Sequence, residues 1–198
     1  METDENELRE QLCQAAGHLW QRGLVSGTRA TVSVELHRRR YLVTPAGRRQ
    51  AGLSPDDLVT IDLHGADLRG GRNPVPKVWA PHRIALDHGM RQTPEDIGAG
   101  RGRAIHATAL VHPPRVLAFA AHASASGANG IKLHGHAPVP ILDPADESVL
   151  LAAIKTYPLM VLTGLGVFAA DASLDATLAV IEDAEAAAEL TLTLQRLR

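Results

Sequence analysis

The chain has 198 residues, 20 basic and 22 acidic side chains, a formal charge of −2 near neutral pH, and 45% hydrophobic but only 3% aromatic residues. That length fits one domain, 1–198, whose core is aliphatic. Interspersed charge excludes a nucleic-acid footprint, and no apolar stretch approaches the ~20 residues that span a bilayer. The acidic start "METDENELRE" lacks the basic region of a signal peptide, and the lone Cys13 suits a reducing compartment as a small half-buried thiol, so the expected location is cytoplasmic.

In chain order, residues 4–23 put Leu8, Leu12, Ala15, Ala16, Leu19 and Trp20 at helical spacing and stop at Gly23. "TVSVEL" and "RRRYLVT" alternate as strands around a charged turn in "HRRRY", and "DDLVTIDLHGADL" reads as a further hairpin. Asp56 and Asp57, after Ser54-Pro55, have the character of capping residues. After the loop "GGRNPVPK" a helix runs from near Trp79 to about His88, and residues 91–103 read as a long surface loop. "RAIHATALV" predicts a buried strand, with Pro113 and Pro114 at the start of the next helix. "IKLHGHAPVPIL" is a proline-interrupted edge strand, "PADESVLLAAIKTY" a helix, "LMVLTGLGVFAA" a strand pair around a glycine turn, and residues from Ser173 onward a long closing helix. The order implies an α/β (α+β) fold: one mostly antiparallel sheet covered by helices.

Six stretches in sequence, "LWQRGLVSGTRATVSV", "YLVTPAGRRQAGLSPDDLVTIDLHG", "VWAPHRIALDH", "LVHPPRVLAFA", "PVPI" and "LTGLGVFAADASLDATLAVIEDAEAAAEL", resemble the class II aldolase/adducin family. The resemblance implies a central sheet flanked by helices, a cyclic tetramer with sites between subunits, and zinc held by three histidines beside a proton-moving acid. Its His-x-His pair falls on Leu110-Val111-His112, its Asn-His-Gly on Gly164-Leu165-Gly166, its acid on Val78, and its phosphate-loop asparagine on Thr31. An alternative register sets His106 in the pair instead. Either way one histidine of three remains, and aliphatic side chains neither ligate zinc nor transfer protons. His112 is thus expected at a remnant ligand position that holds no metal alone.

Around it, Gly27, Thr28, Thr44 and Gly47, with Lys77, Arg48, Arg49 and Arg29, are candidates for a small-anion site, set against ordinary solvated turns. His82 matches a family histidine and reads as structural. His134 and His136, as i and i+2 on a strand, could chelate a replacement metal with His112, His106 or His122, against the plainer reading of an exposed edge. The expected function is a degenerate family member that is no ordinary aldolase, a binding or assembly subunit forming a homotetramer or pairing with an active paralogue. No cofactor is expected. The alternatives are an enzyme of changed chemistry using Lys77, His82 or His112 on a phosphorylated or carboxylated sugar-like substrate, and a metal-dependent aldolase, epimerase or dehydratase with rearranged ligands for zinc or another divalent ion.

Overall fold

The computed structural model describes residues 5–197 apart from Ser26, Arg38, Arg72 and Arg101. Of the stripe its spacing predicts, helix α1 (Glu5–Gln21) buries Leu12, Ala15, Ala16 and Leu19 and partly buries Leu8, whereas Trp20, at the helix's last turn, is exposed. Strands β1 (Thr31–Leu36), β2 (Arg40–Val43) and β3 (Val59–Asp62) form the antiparallel meander, with Arg39 at φ 58° in the first turn. Arg38, in that expected charged turn, lies outside the described residues. The hairpin expected after β3 shrinks to one isolated bridge, Ile61 to Asp67. Asp57 does cap: its carboxylate accepts from the backbone N–H and the hydroxyl of Ser54, both at 3.0 Å, and these bonds hold its pKa below the usual range.

Helix α2 (Ala80–Met90) is followed by a one-turn helix, α3 (Pro94–Gly98), in the segment expected to be loop. The Thr93 hydroxyl accepts from the backbone N–H of Asp96 and Pro94 takes the first helical position, so local capping overrides the polar, glycine-rich composition. Then come β4 (Ala107–Val111), α4 (Pro114–Ala125), β5 (Gly130–Ile131), β6 (Val139–Leu142), α5 (Glu147–Thr156), β7 (Leu159–Leu162), β8 (Gly166–Asp171) and α6 (Leu174–Arg196). Ser173 caps α6 by accepting from the backbone N–H of Ala176 at 3.1 Å.

The eight strands lie in the order β3-β2-β1-β4-β8-β7-β6-β5, and only β6 with β7 is parallel. Helices α1, α4 and α6 cover one face around Leu19, Val116 and Ile181, while α2 and α5 cover the other around Ala85, Leu150 and Ile154. A buried and a partly buried charge tie elements together. Glu185 of α6 accepts from the backbone N–H groups of Arg115 and Val116 at 3.0 Å, supplying the cap that Pro113 cannot. Arg103 donates to the carbonyls of Ile154, Tyr157 and Ala170 at 2.7–3.0 Å, joining α5 to the sheet.

Cys13 is half-buried, and burial raises its thiol to about 11. No helix among the described residues is long and apolar enough to cross a membrane.

Candidate functional site

The antiparallel register dictates where loops meet. Thr31 pairs with Leu110 and Val111 with Val167, so the start of β1, the end of β4 and the start of β8 share one edge of the sheet. There a cavity of about 490 Å³ opens, bounded by residues 28–31, Ala46 and Gly47, residues 74–78, Leu110, His112 and the β7–β8 turn at Gly164 and Leu165. The turn fits this edge only because Gly166 has no side chain. Its φ is 141°, and an added Cβ would stand 2.5 Å from the Val111 carbonyl oxygen and 3.3 Å from the His112 ring.

His112 donates its backbone N–H to the Leu24 carbonyl at 2.9 Å, while its ring Nδ1 is buried without a partner among the described residues. Burial, followed by the charge of Arg29, lowers its pKa against a smaller opposing effect from a backbone hydrogen bond at Leu165. The imidazole is therefore neutral near pH 7. Beside it, Leu110 and, partly buried, Val78 and Leu165 pack into one hydrophobic cluster with Phe168 and Met160. Arg29 and Lys77 are exposed at the rim and form no ion pair among the described residues, and no carboxylate among those residues lines the cavity.

The other candidate residues divide. Thr28, Gly47 and Lys77 line the cavity, but Gly27 does not. Thr44 is buried with its hydroxyl accepting from the Val32 N–H at 3.0 Å. Arg48 is held by Asp57 at 2.8 Å, and Arg49 is exposed. The cavity's arginine is Arg29, a choice the sequence could not make because it turns on which guanidinium already has a partner.

His82 lies deeper, outside the lining. Fully buried, it is stacked on Trp79 with ring centroids 5.4 Å apart and set edge-on to Phe168. Its Nδ1 lies 2.7 Å from the Thr108 hydroxyl, itself 2.6 Å from that of Ser33. Burial pushes its pKa down to about 3, so it is neutral at any ordinary pH. The sequence hinted at the histidine but not at the serine–threonine pair that meets its Nδ1, while its Nε2 is buried without a partner among the described residues.

His106 stands at the far end of β4, six positions from His112 or roughly 20 Å at strand rise. Its Nδ1 lies 2.7 Å from Glu35, whose hydrogen bond raises its pKa. His134 and His136 occupy a turn around Gly135 at φ 71° and not the edge strand expected of them, so the i, i+2 spacing that a strand would give the alternative chelate is absent. His122 is exposed on α4. Among the described residues no three His, Cys, Asp or Glu side chains are grouped to hold a metal ion. The donors at the cavity, one imidazole among Leu110, Leu165 and Val78, do not fit a three-histidine zinc site.

An eight-stranded, mostly antiparallel sheet between helical layers, with a small cavity where strand ends and glycine turns converge, defines the class II aldolase type of fold. The chain belongs to that family: residues 10–192 match the Class II Aldolase and Adducin N-terminal domain. The structure resembles L-fuculose-1-phosphate aldolase from Thermus thermophilus, with TM-score 0.73 and 21% identity over 96% of this chain and 94% of that one. It also resembles a sugar-phosphate aldolase from Thermotoga maritima, with TM-score 0.69 and 14% identity over 96% of each chain. In sequence it is 32% identical over 68 residues to methylthioribulose-1-phosphate dehydratase of Pseudomonas syringae pv. tomato, covering 34% of this chain and 33% of the relative. To the enzyme of that name from Pseudomonas paraeruginosa it is 29% identical over 96 residues, 44% of this chain and 47% of the relative. The matched stretches thus span a third to a half of these relatives' length.

Proposed function

We propose that this protein is a class II aldolase-fold binding protein without zinc-dependent lyase activity, which takes a small phosphorylated or carboxylated molecule into the cavity between Arg29, Lys77 and His112. The observation that carries this reading is the lining itself: among the described residues it holds two cations without an ion pair and no carboxylate, with aliphatic side chains at Leu110, Leu165 and Val78, where the family resemblance places two zinc ligands and the acid. Two cations beside glycine-rich loops favour an anion through direct bonds and through the local potential. Among the described residues the lining holds no carboxylate to move a proton and no group of ligands to polarise a carbonyl through a metal, which leaves Lys77 and His112 as its candidate proton carriers. The family relationship supports assembly as a homo-oligomer, most simply a tetramer, and the lone Cys13 suits a reducing compartment such as the cytoplasm.

The test pairs activity with binding. Protein loaded with excess zinc should not cleave fuculose or rhamnulose phosphates, nor dehydrate methylthioribulose 1-phosphate. Simple phosphates and short carboxylates should raise its melting temperature by mass action, and Arg29→Ala with Lys77→Ala should abolish the rise. Turnover of any of these substrates would sink the non-lyase reading. A second reading, an enzyme of altered chemistry, draws on the neutral His112 and Lys77 facing one cavity. It requires turnover that His112→Ala removes.

A further inference from the structure

We infer that the end of this cavity nearest β4 and β8 is an apolar subsite, so that the ligand is an anion bearing a compact hydrophobic group and not a polyol phosphate. This rests on the anion-site reading above and specifies what else the ligand must carry.

Three observations place the subsite. Leu110, Val78 and Leu165 belong to a single hydrophobic cluster with Met160 and Phe168 behind them, so this wall continues the core rather than consisting of isolated aliphatic residues. The same three side chains also line the cavity. Among the described lining residues the polar side chains beside them are His112 and Thr31, which pairs with Leu110 across β1 and β4, and the two offer too few donors and acceptors for a row of hydroxyls. A polyol bound here would lose its water without gaining partners, whereas methylene groups would lose none.

Arg29 and Leu165 are laterally separated, whereas Lys77 adjoins Val78 in the chain. Thr28 and Arg29 sit on the loop entering β1 and Gly47 on the loop leaving β2, while Leu165 sits on the turn entering β8. With strands about 4.8 Å apart, Leu110 on β4 stands roughly 5 Å and Leu165 roughly 10 Å from the head site beside β1. That span suits an anionic head on a short chain of about four to six carbons.

The experiment compares n-butyl phosphate with glycerol 1-phosphate, which share a head and are close in size, by calorimetric titration of the full-length protein. The parent should bind the butyl compound at least about tenfold more tightly, since each buried methylene adds several-fold. Leu165→Ser, on a partly exposed turn, should shrink the preference to about threefold or less. Arg29→Ala should weaken both ligands together. Equal binding, or tighter glycerol phosphate, overturns the apolar subsite while leaving the anion site standing. If neither phosphate binds, the anion-site reading fails and this inference fails with it. The comparison of two ligands on the parent protein decides the matter even should a variant fold poorly.

Discussion

Buried and neutral, His82 should make the protein sensitive to mild acid by an amount that can be worked out. Its folded pKa is about 3 against an ordinary 6.5. Above 6.5 neither the folded nor the unfolded chain protonates it, and stability is unaffected. Below 6.5 the unfolded chain takes up a proton that the folded chain cannot, so stability falls with pH until the folded pKa is reached. At pH 5 the unfolded form gains about 2 kcal/mol from this group, against about 0.2 at pH 7, at 1.36 kcal/mol per pH unit. Burial also lowers His88 and His112, which adds to the slope, so a variant is needed to isolate His82. His82→Gln keeps an amide able to meet the Thr108 hydroxyl but does not titrate. Urea unfolding of parent and variant at pH 7 and pH 5 should show the parent's advantage shrinking by about 2 kcal/mol. An advantage unchanged between the two pH values would refute the argument, since the imidazole would then be able to protonate in place.

Glu185→Ala should cost about 2–3 kcal/mol, because it strips the cap from α4 and leaves buried N–H groups without a partner, and a lowered urea midpoint would show it. Gly166→Ala should cost about 2–4 kcal/mol and distort the His112 edge, since the new Cβ meets the Val111 carbonyl at 2.5 Å; a melting temperature within a degree of the parent would contradict this. Light scattering at micromolar concentration should give a mass well above the 21.1 kDa of one chain, and a clean monomer would rule out the proposed assembly. Ala184 and Ala188 of α6 lie in the protein's own core, which leaves Ala179, Ala186 and Leu190 among its exposed small and apolar residues.

Much of the fold was legible because local pattern and final burial agree. The apolar stripe of α1, the alternation in "TVSVEL" and the Ser173 cap each place their element within a residue or two. What was hidden depends on partners distant in sequence. Glu185 caps a helix some 70 positions earlier, Arg103 reaches α5, and the parallel pairing of β6 with β7 arises because α5 returns the chain over the sheet. The aliphatic residues at Leu110, Leu165 and Val78 could be named from the family pattern, but only the register of β1, β4 and β8 brings them to one wall. Arg48 and Arg29 are indistinguishable in sequence until Asp57 claims one of them. The short α3 went unseen because a single Thr93 cap outweighs a stretch whose composition speaks for loop.

The most direct test of the central claim is zinc content. Protein incubated with excess zinc, freed of loose metal by gel filtration and measured by plasma mass spectrometry should carry essentially none, because one imidazole cannot hold the ion against buffer. The variant Leu110→His, Leu165→His, Val78→Glu, with ligands restored around His112, should retain about one zinc per chain. One zinc per chain in the parent, lost on His112→Ala, would contradict the account.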